Sequence, residues 1–327
     1  MRLISFNIIK RLNFQPPVPK QQINLCQIRN LHVKPFVLGI NKNSFGNNYF
    51  KVGCSFLITR RMSSTKPAAE VSEGLPFKTL RFLPKSGQEK KGSAIIVLQE
   101  WWGINEQIKV HAQHIADNAN TLAVVPDLYK GKLGLSQEEA SHLMSNLDWK
   151  ESLVELEALV DSLKKENREK IGSIGFCMGG EFHKPRVGHS HCERAVSLAL
   201  ASHVAAKKPL SAVVTCYGIP SPTICDVSVI AIKTPVQGHF GSEDKHTGFS
   251  DPNAAYSLER NLEEGIERLD ASGKEIAIYR YDGEDHAFLN NEERSLKMRK
   301  EQGFLDFNIK NQELAWNRIF EFFNKYL

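Results

Sequence analysis

The chain has 327 residues, 41% hydrophobic and 24% charged, which sets it apart from disordered, collagenous and membrane-embedded chains. Its formal net charge of +5 comes from one end: no Asp or Glu precedes Glu70, while eleven Lys and Arg do. Beyond that point 31 basic residues face 37 acidic ones, so the folded part offers no basic surface for nucleic acid.

Residues 1–69 form a basic, acid-free extension. Met1–Leu12 reads as a basic amphipathic helix in the style of a mitochondrial or plastid transit peptide, with Arg60-Arg61 ahead of Met62-Ser63-Ser64-Thr65 as a processing region. The expectation is a mitochondrial protein; if Met62 is the true start, the expectation becomes cytoplasmic. No apolar run reaches the roughly 18 residues that span a bilayer. Six cysteines, at 26, 54, 177, 192, 216 and 225, lack any CxxC pair and fit free thiols in a reducing compartment.

From residue 70 the pattern is that of one domain, 70–327. Strands are expected at 77–83, 93–99, 122–126, 171–176, 212–217, 235–240 and 276–281. Between and after them, helices are expected at 106–119, 136–146, 149–166, 253–272 and 311–326. Residues 149–166 carry Leu153, Leu156, Leu159, Val160 and Leu163 on one face. Continuous apolar strands alternating with amphipathic helices give an α/β fold, a mostly parallel sheet covered on both faces.

The strand at 171–176 runs into Gly175-Phe176-Cys177-Met178-Gly179. Small residues two before and two after Cys177 fit a nucleophile elbow, a strand-to-helix turn that lifts one reactive side chain above a parallel sheet. A thiol there needs a base to make the thiolate. Two later strand ends supply carboxylate and imidazole: Gly241-Ser242-Glu243-Asp244 and Gly283-Glu284-Asp285-His286. The order nucleophile, acid, base matches the hydrolase arrangement. His286 would take the thiol proton, and Asp244 would orient the imidazole. Glu243 and Asp282 are the competing acids.

These segments, with Leu98-Gln99-Glu100-Trp101-Trp102-Gly103 and Val125-Pro126-Asp127-Leu128-Tyr129, resemble the dienelactone hydrolase family over about residues 75–327. The resemblance implies an α/β-hydrolase fold and a Cys177–Asp244–His286 triad. It also implies that Glu100 helps deprotonate the thiol when substrate binds. Backbone N–H groups of Met178 and Trp101 would form the oxyanion hole, and a helix from 179 onward would lower the thiol pKa. Trp101 and Trp102 would either wall an apolar pocket or pack in the core. The implied activity is hydrolysis of small carboxylic esters or lactones through an acyl-enzyme. No metal or organic cofactor is required. The expected partner is the small-molecule substrate, with no nucleic acid, no membrane and a monomeric state.

Two features depart from the family. Residues 181–194 interrupt the junction between the elbow and its helix, which resumes at Ala195-Val196-Ser197-Leu198. Pro185 and Gly188 would break a helix begun at 179. The segment reads as a gene-model artefact or alternative exon, or else as a real loop that distorts the elbow and leaves a non-catalytic binding module. His183, His189, His191 and Cys192 within it raise a metal reading, and Cys192 with Cys177 a redox-sensing one. Second, no arginine follows His286 where the family's dienelactone-binding enzymes place one, so dienelactone itself is a doubtful substrate.

Overall fold

The computed structural model describes residues 68–71, 74–178, 196–204, 208–222, 225–269 and 272–327. Residues 1–67 of the basic extension, the 181–194 segment and the helix expected from 179 lie outside them.

Eight strands form one sheet: β1 (Ala69–Val71), β2 (Thr79–Phe82), β3 (Ser93–Leu98), β4 (Leu122–Pro126), β5 (Lys170–Phe176), β6 (Ala212–Cys216), β7 (Val236–Gly241) and β8 (Ile276–Tyr281). Their order is β1-β2-β4-β3-β5-β6-β7-β8. All pairs from β4 to β8 are parallel, and only β1–β2 and β2–β4 are antiparallel. Among the described residues the α-helices are α1 (Glu106–Ala119), α2 (Gln137–Ser145), α3 (Trp149–Lys165), α4 (Val196–Val204), α5 (Pro252–Arg268), α6 (Glu293–Glu301) and α7 (Ile309–Tyr326).

β3 shows why the strands read as unbroken apolar runs. Ala94, Ile96 and Leu98 join one core cluster while Ile95 and Val97 join the other, and all five are fully buried. A central strand must be apolar on both of its alternating faces when helices cover both sides. Residues of α1 and α7 fill one cluster; residues of α2, α3, α4 and α5 fill the other. The caps follow local rules: Asn105, Ser136, Asp148 and Asp251 each accept a hydrogen bond from a backbone N–H of the first turn of α1, α2, α3 and α5.

Most expected elements are present to within a few residues. Two are additions. β1 extends the sheet across the boundary between the assigned extension and the domain, with the N–H of Ala68 donating to the Arg81 carbonyl at 2.6 Å. α6 follows the loop after β8. Among the described residues no helix is long and apolar enough to cross a membrane.

The topology fixes where chemistry can sit. The chain passes from β3 to β4 on one side and then to β5 on the other. Such a reversal opens a crevice at the carboxyl ends of the strands. In the β3–β5 register Leu98 lies opposite Gly175. Glu100 and Cys177, each two residues further on, therefore leave the sheet at the same level on adjacent strands.

Candidate active site

β5 ends at Phe176, and the next two residues turn sharply. Cys177 has φ +49° and Met178 φ +75°, left-handed conformations that non-glycine residues adopt at a steric cost. The Cys177 N–H donates to the Cys216 carbonyl at 3.0 Å, so the elbow hangs on the neighbouring strand β6. Cys177 is 8% exposed, buried but open to the cleft.

The loops after β7 and β8 are stitched to each other. The N–H of Ser242 donates to Tyr281 (3.0 Å) and that of Glu243 to Glu284 (2.9 Å). Gly241 permits this approach, because a Cβ there would collide with the Glu284 carbonyl. Asp244 and His286 are thereby brought together. His286 Nδ1–H donates to Asp244 Oδ2 at 2.7 Å, and His286 Nε2 lies 3.0 Å from Cys177 Sγ. Both competing acids stand apart: the side chains of Glu243 and Asp282 are exposed.

Asp244 holds a second imidazole. His246 Nδ1–H donates to its other oxygen, Oδ1, at 2.7 Å, and the His246 backbone N–H donates to the same oxygen at 3.1 Å. The two rings lie 4.3 Å apart. Burial works to raise the Asp244 pKa, but the two imidazoles prevail and hold the carboxyl well below the usual range. Burial lowers the His286 pKa, partly offset by Asp244, which favours the neutral ring. His246→Phe leaves the His286–Asp244 bond in place but removes one anchor of the carboxylate. Turnover of that variant is expected to fall on the order of tenfold with KM little changed, which steady-state kinetics beside the parent protein checks.

Glu100 lies where β3 runs out. Its carbonyl accepts the Gly103 N–H at 3.1 Å, closing a turn that needs glycine at φ +85°. Burial pushes the Glu100 carboxyl up to about 7, against the opposing effects of a hydrogen bond from Asn290 (2.9 Å) and the charge of Arg299. Trp101 and Trp102, 4.7 Å apart between ring centroids, do both things expected of them: they line the cleft and join the core. Met178, directly after Cys177, is buried.

The cleft holds about 440 Å³ counting its open mouth, and Glu100, Cys177, His246, His286, Asn290 and Arg299 contribute to its walls. Arg299 is the cation that reading along the sequence missed. It comes from α6 rather than from the residues directly after His286. Its Nη1 donates to the His286 carbonyl, and its Nη2 to that of Leu305 at 2.6 Å. Arg299 thus ties the loop bearing the histidine to α6. His246 was equally hidden. Among the described residues, the ligand atoms of Asp244, His246 and His286 lie within 4.8 Å of one another, close enough for one metal ion. Each carboxylate oxygen is already bonded to an imidazole.

A model of the dienelactone hydrolase family matches residues 77–327. "Protein usf" of Aquifex pyrophilus is 25% identical over 251 residues, covering 72% of this chain and 89% of its own length. The "Putative carboxymethylenebutenolidase" of Saccharolobus solfataricus is 25% identical over 272 residues, covering 71% and 89%. A dienelactone hydrolase-like promiscuous phosphotriesterase from metagenomic libraries has the same fold, with a TM-score of 0.57 at 15% identity over 79% of this chain and 95% of that one. The sheet order, the strand-end site and a family match over most of the chain converge: this α/β-hydrolase-fold chain belongs to the dienelactone hydrolase family.

Proposed function

We propose that the protein hydrolyses small carboxylic esters or lactones by a Cys–His–Asp acyl-enzyme mechanism. The observation that carries this reading is the line from Cys177 Sγ to His286 Nε2 (3.0 Å) and from Nδ1 to Asp244 Oδ2 (2.7 Å), drawn from three different strand ends.

In the first half-reaction, Sγ attacks the substrate carbonyl carbon while His286 Nε2 takes the thiol proton. The tetrahedral oxyanion is received by the N–H groups of Met178 and Trp101. His286 then gives its proton to the departing alkoxide, leaving a thioester on Cys177. In the second half, water attacks the thioester carbon and its proton passes to Nε2. The acid departs and the thiol is restored. Asp244 stabilises the imidazolium in both halves. Glu100 is the auxiliary base: a carboxyl that ionises near pH 7 on the wall of the cleft that Cys177 also lines would let the thiolate form on demand, which limits oxidation of a standing thiolate. The substrate class follows from the family and from a cleft of modest size. The acid-free, arginine-bearing leader supports a mitochondrial address, and the protein is read as a monomer.

Iodoacetamide distinguishes Cys177 from the other described cysteines. Burial holds the Cys216 thiol well above its ordinary pKa and pushes Cys225 up to about 12. Alkylation at neutral pH is expected at Cys177 ahead of both, with loss of turnover in step with modification, as peptide mapping reads directly. Full modification of Cys177 with turnover intact would contradict the proposal.

A further inference from the structure

The mechanism leaves one buried polar chain unexplained, and it ends on Glu100. Asn290 Nδ2 donates to Glu100 Oε1 at 2.9 Å. The other end of the same amide, Oδ1, lies 3.2 Å from Nε2 of His111 on α1. His111 is buried, stacked on Phe176 at 4.5 Å and tilted against Trp316 at 5.1 Å. Burial pulls its pKa down to about 3, so the ring is neutral. A neutral ring with its hydrogen on Nε2 donates to Asn290 Oδ1, which leaves Nδ2 to face the carboxyl.

The backbone of this loop is held separately. Gln107, one turn earlier on α1, accepts the N–H groups of Asn291 (2.9 Å) and Glu292 (2.7 Å) on its Oε1. Its Nε2 then donates to Asn291 Oδ1 at 3.4 Å, while its 3.3 Å approach to His111 Nε2 is a contact between two donors and not a hydrogen bond in this tautomer. The loop is therefore placed by Gln107, and the amide is aimed by His111. Aiming an amide at one particular oxygen is more than is needed to fill space.

We propose that Asn290, oriented by His111, is a positioning residue for Glu100, holding its carboxyl in the cleft that Cys177 also lines and setting how readily it gives up its proton. The proposal rests on the reading of Glu100 as the auxiliary base. An amide N–H favours the charged carboxylate over the acid. The other groups facing this carboxyl are Arg299 from α6, which also favours the charge, and Cys216 and Tyr217 at the end of β6, whose own ionisation Glu100 opposes.

The test reads the Glu100 carboxyl directly in the full-length protein, by the pH titration of its infrared C=O band, assigned with Glu100→Gln. Asn290→Leu keeps the volume and removes the donor; the midpoint is expected to rise by about one pH unit. Asn290→Asp adds a negative charge and should raise it further. His111→Phe keeps the ring stack, releases the amide and should move the midpoint in the same direction by less. The acid limb of ester turnover is expected to follow in each variant. A midpoint unmoved in both Asn290 variants would overturn the proposal and leave Asn290 as packing; should neither fold, an unmoved midpoint in His111→Phe does the same. The titration needs no turnover, so failure of the hydrolase reading is seen separately, as ester turnover that survives Cys177→Ala.

Discussion

Cys177→Ala is expected to lower ester turnover by at least about a thousandfold, with substrate binding little changed. The size follows from the role proposed for the residue. Without Sγ no thioester forms, and His286 and Asp244 are left with no proton to move. The remaining rate comes from whatever the oxyanion donors and the cleft give to direct attack by water. The side chain is small and its surroundings are set by the backbone: the elbow is held by the Cys177 N–H on Cys216, which the substitution keeps. Loss of activity with an unchanged melting curve therefore reports chemistry rather than fold.

The second large effect pits activity against stability at one residue. Glu100→Gln is expected to slow turnover and at the same time to stabilise the protein at alkaline pH. The sign follows from the raised pKa. The Glu100 carboxyl titrates near 4.5 when unfolded and near 7 when folded, so between these values the folded state holds a proton that the unfolded state has lost. Stability therefore falls as pH rises through that window, and the full loss stands above pH 7. A separation of this size corresponds to about 3 kcal/mol. Glutamine has no charge to bury and keeps an oxygen that can accept from Asn290. Urea unfolding at pH 8 should favour Glu100→Gln by up to that amount, and the difference should vanish near pH 4. Equal stability of the two proteins at pH 8 would mean the carboxyl is not held in its acid form by the fold. A stabilising substitution that costs activity is the behaviour expected of a strained catalytic site.

Much of this molecule is legible from its sequence, for a physical reason. Central strands of a doubly covered sheet must be apolar on both faces, so Ala94–Leu98, Leu122–Val125 and Ala212–Val214 announce themselves. The elbow is legible because glycines crowd a residue that sits at positive φ. Asp244 and His286 are legible as candidates because each directly follows a strand, and the structure brings their side chains together. What escapes is whatever depends on a side chain reaching across the fold. α6 is polar on almost every side, with only Ser295 and Arg299 buried, so no apolar period marks it. Its Arg299 reaches the cleft without any cue beside His286. β1 is three residues long with two of them exposed, too short and too wet to stand out. His246 lies two residues past Asp244, and nothing in that spacing shows that it shares the carboxylate. The Glu100–Asn290–His111 chain joins residues 190 and 179 positions apart, a pairing that only the folded sheet creates.

The most direct test of the central claim is a rapid-quench experiment on the full-length protein with p-nitrophenyl acetate. The account predicts a burst of about one nitrophenolate per active site, with the acetyl group mapped to Cys177 and no burst in Cys177→Ala. A normal burst or normal steady turnover in Cys177→Ala, or an acetyl group found on another residue, would contradict it.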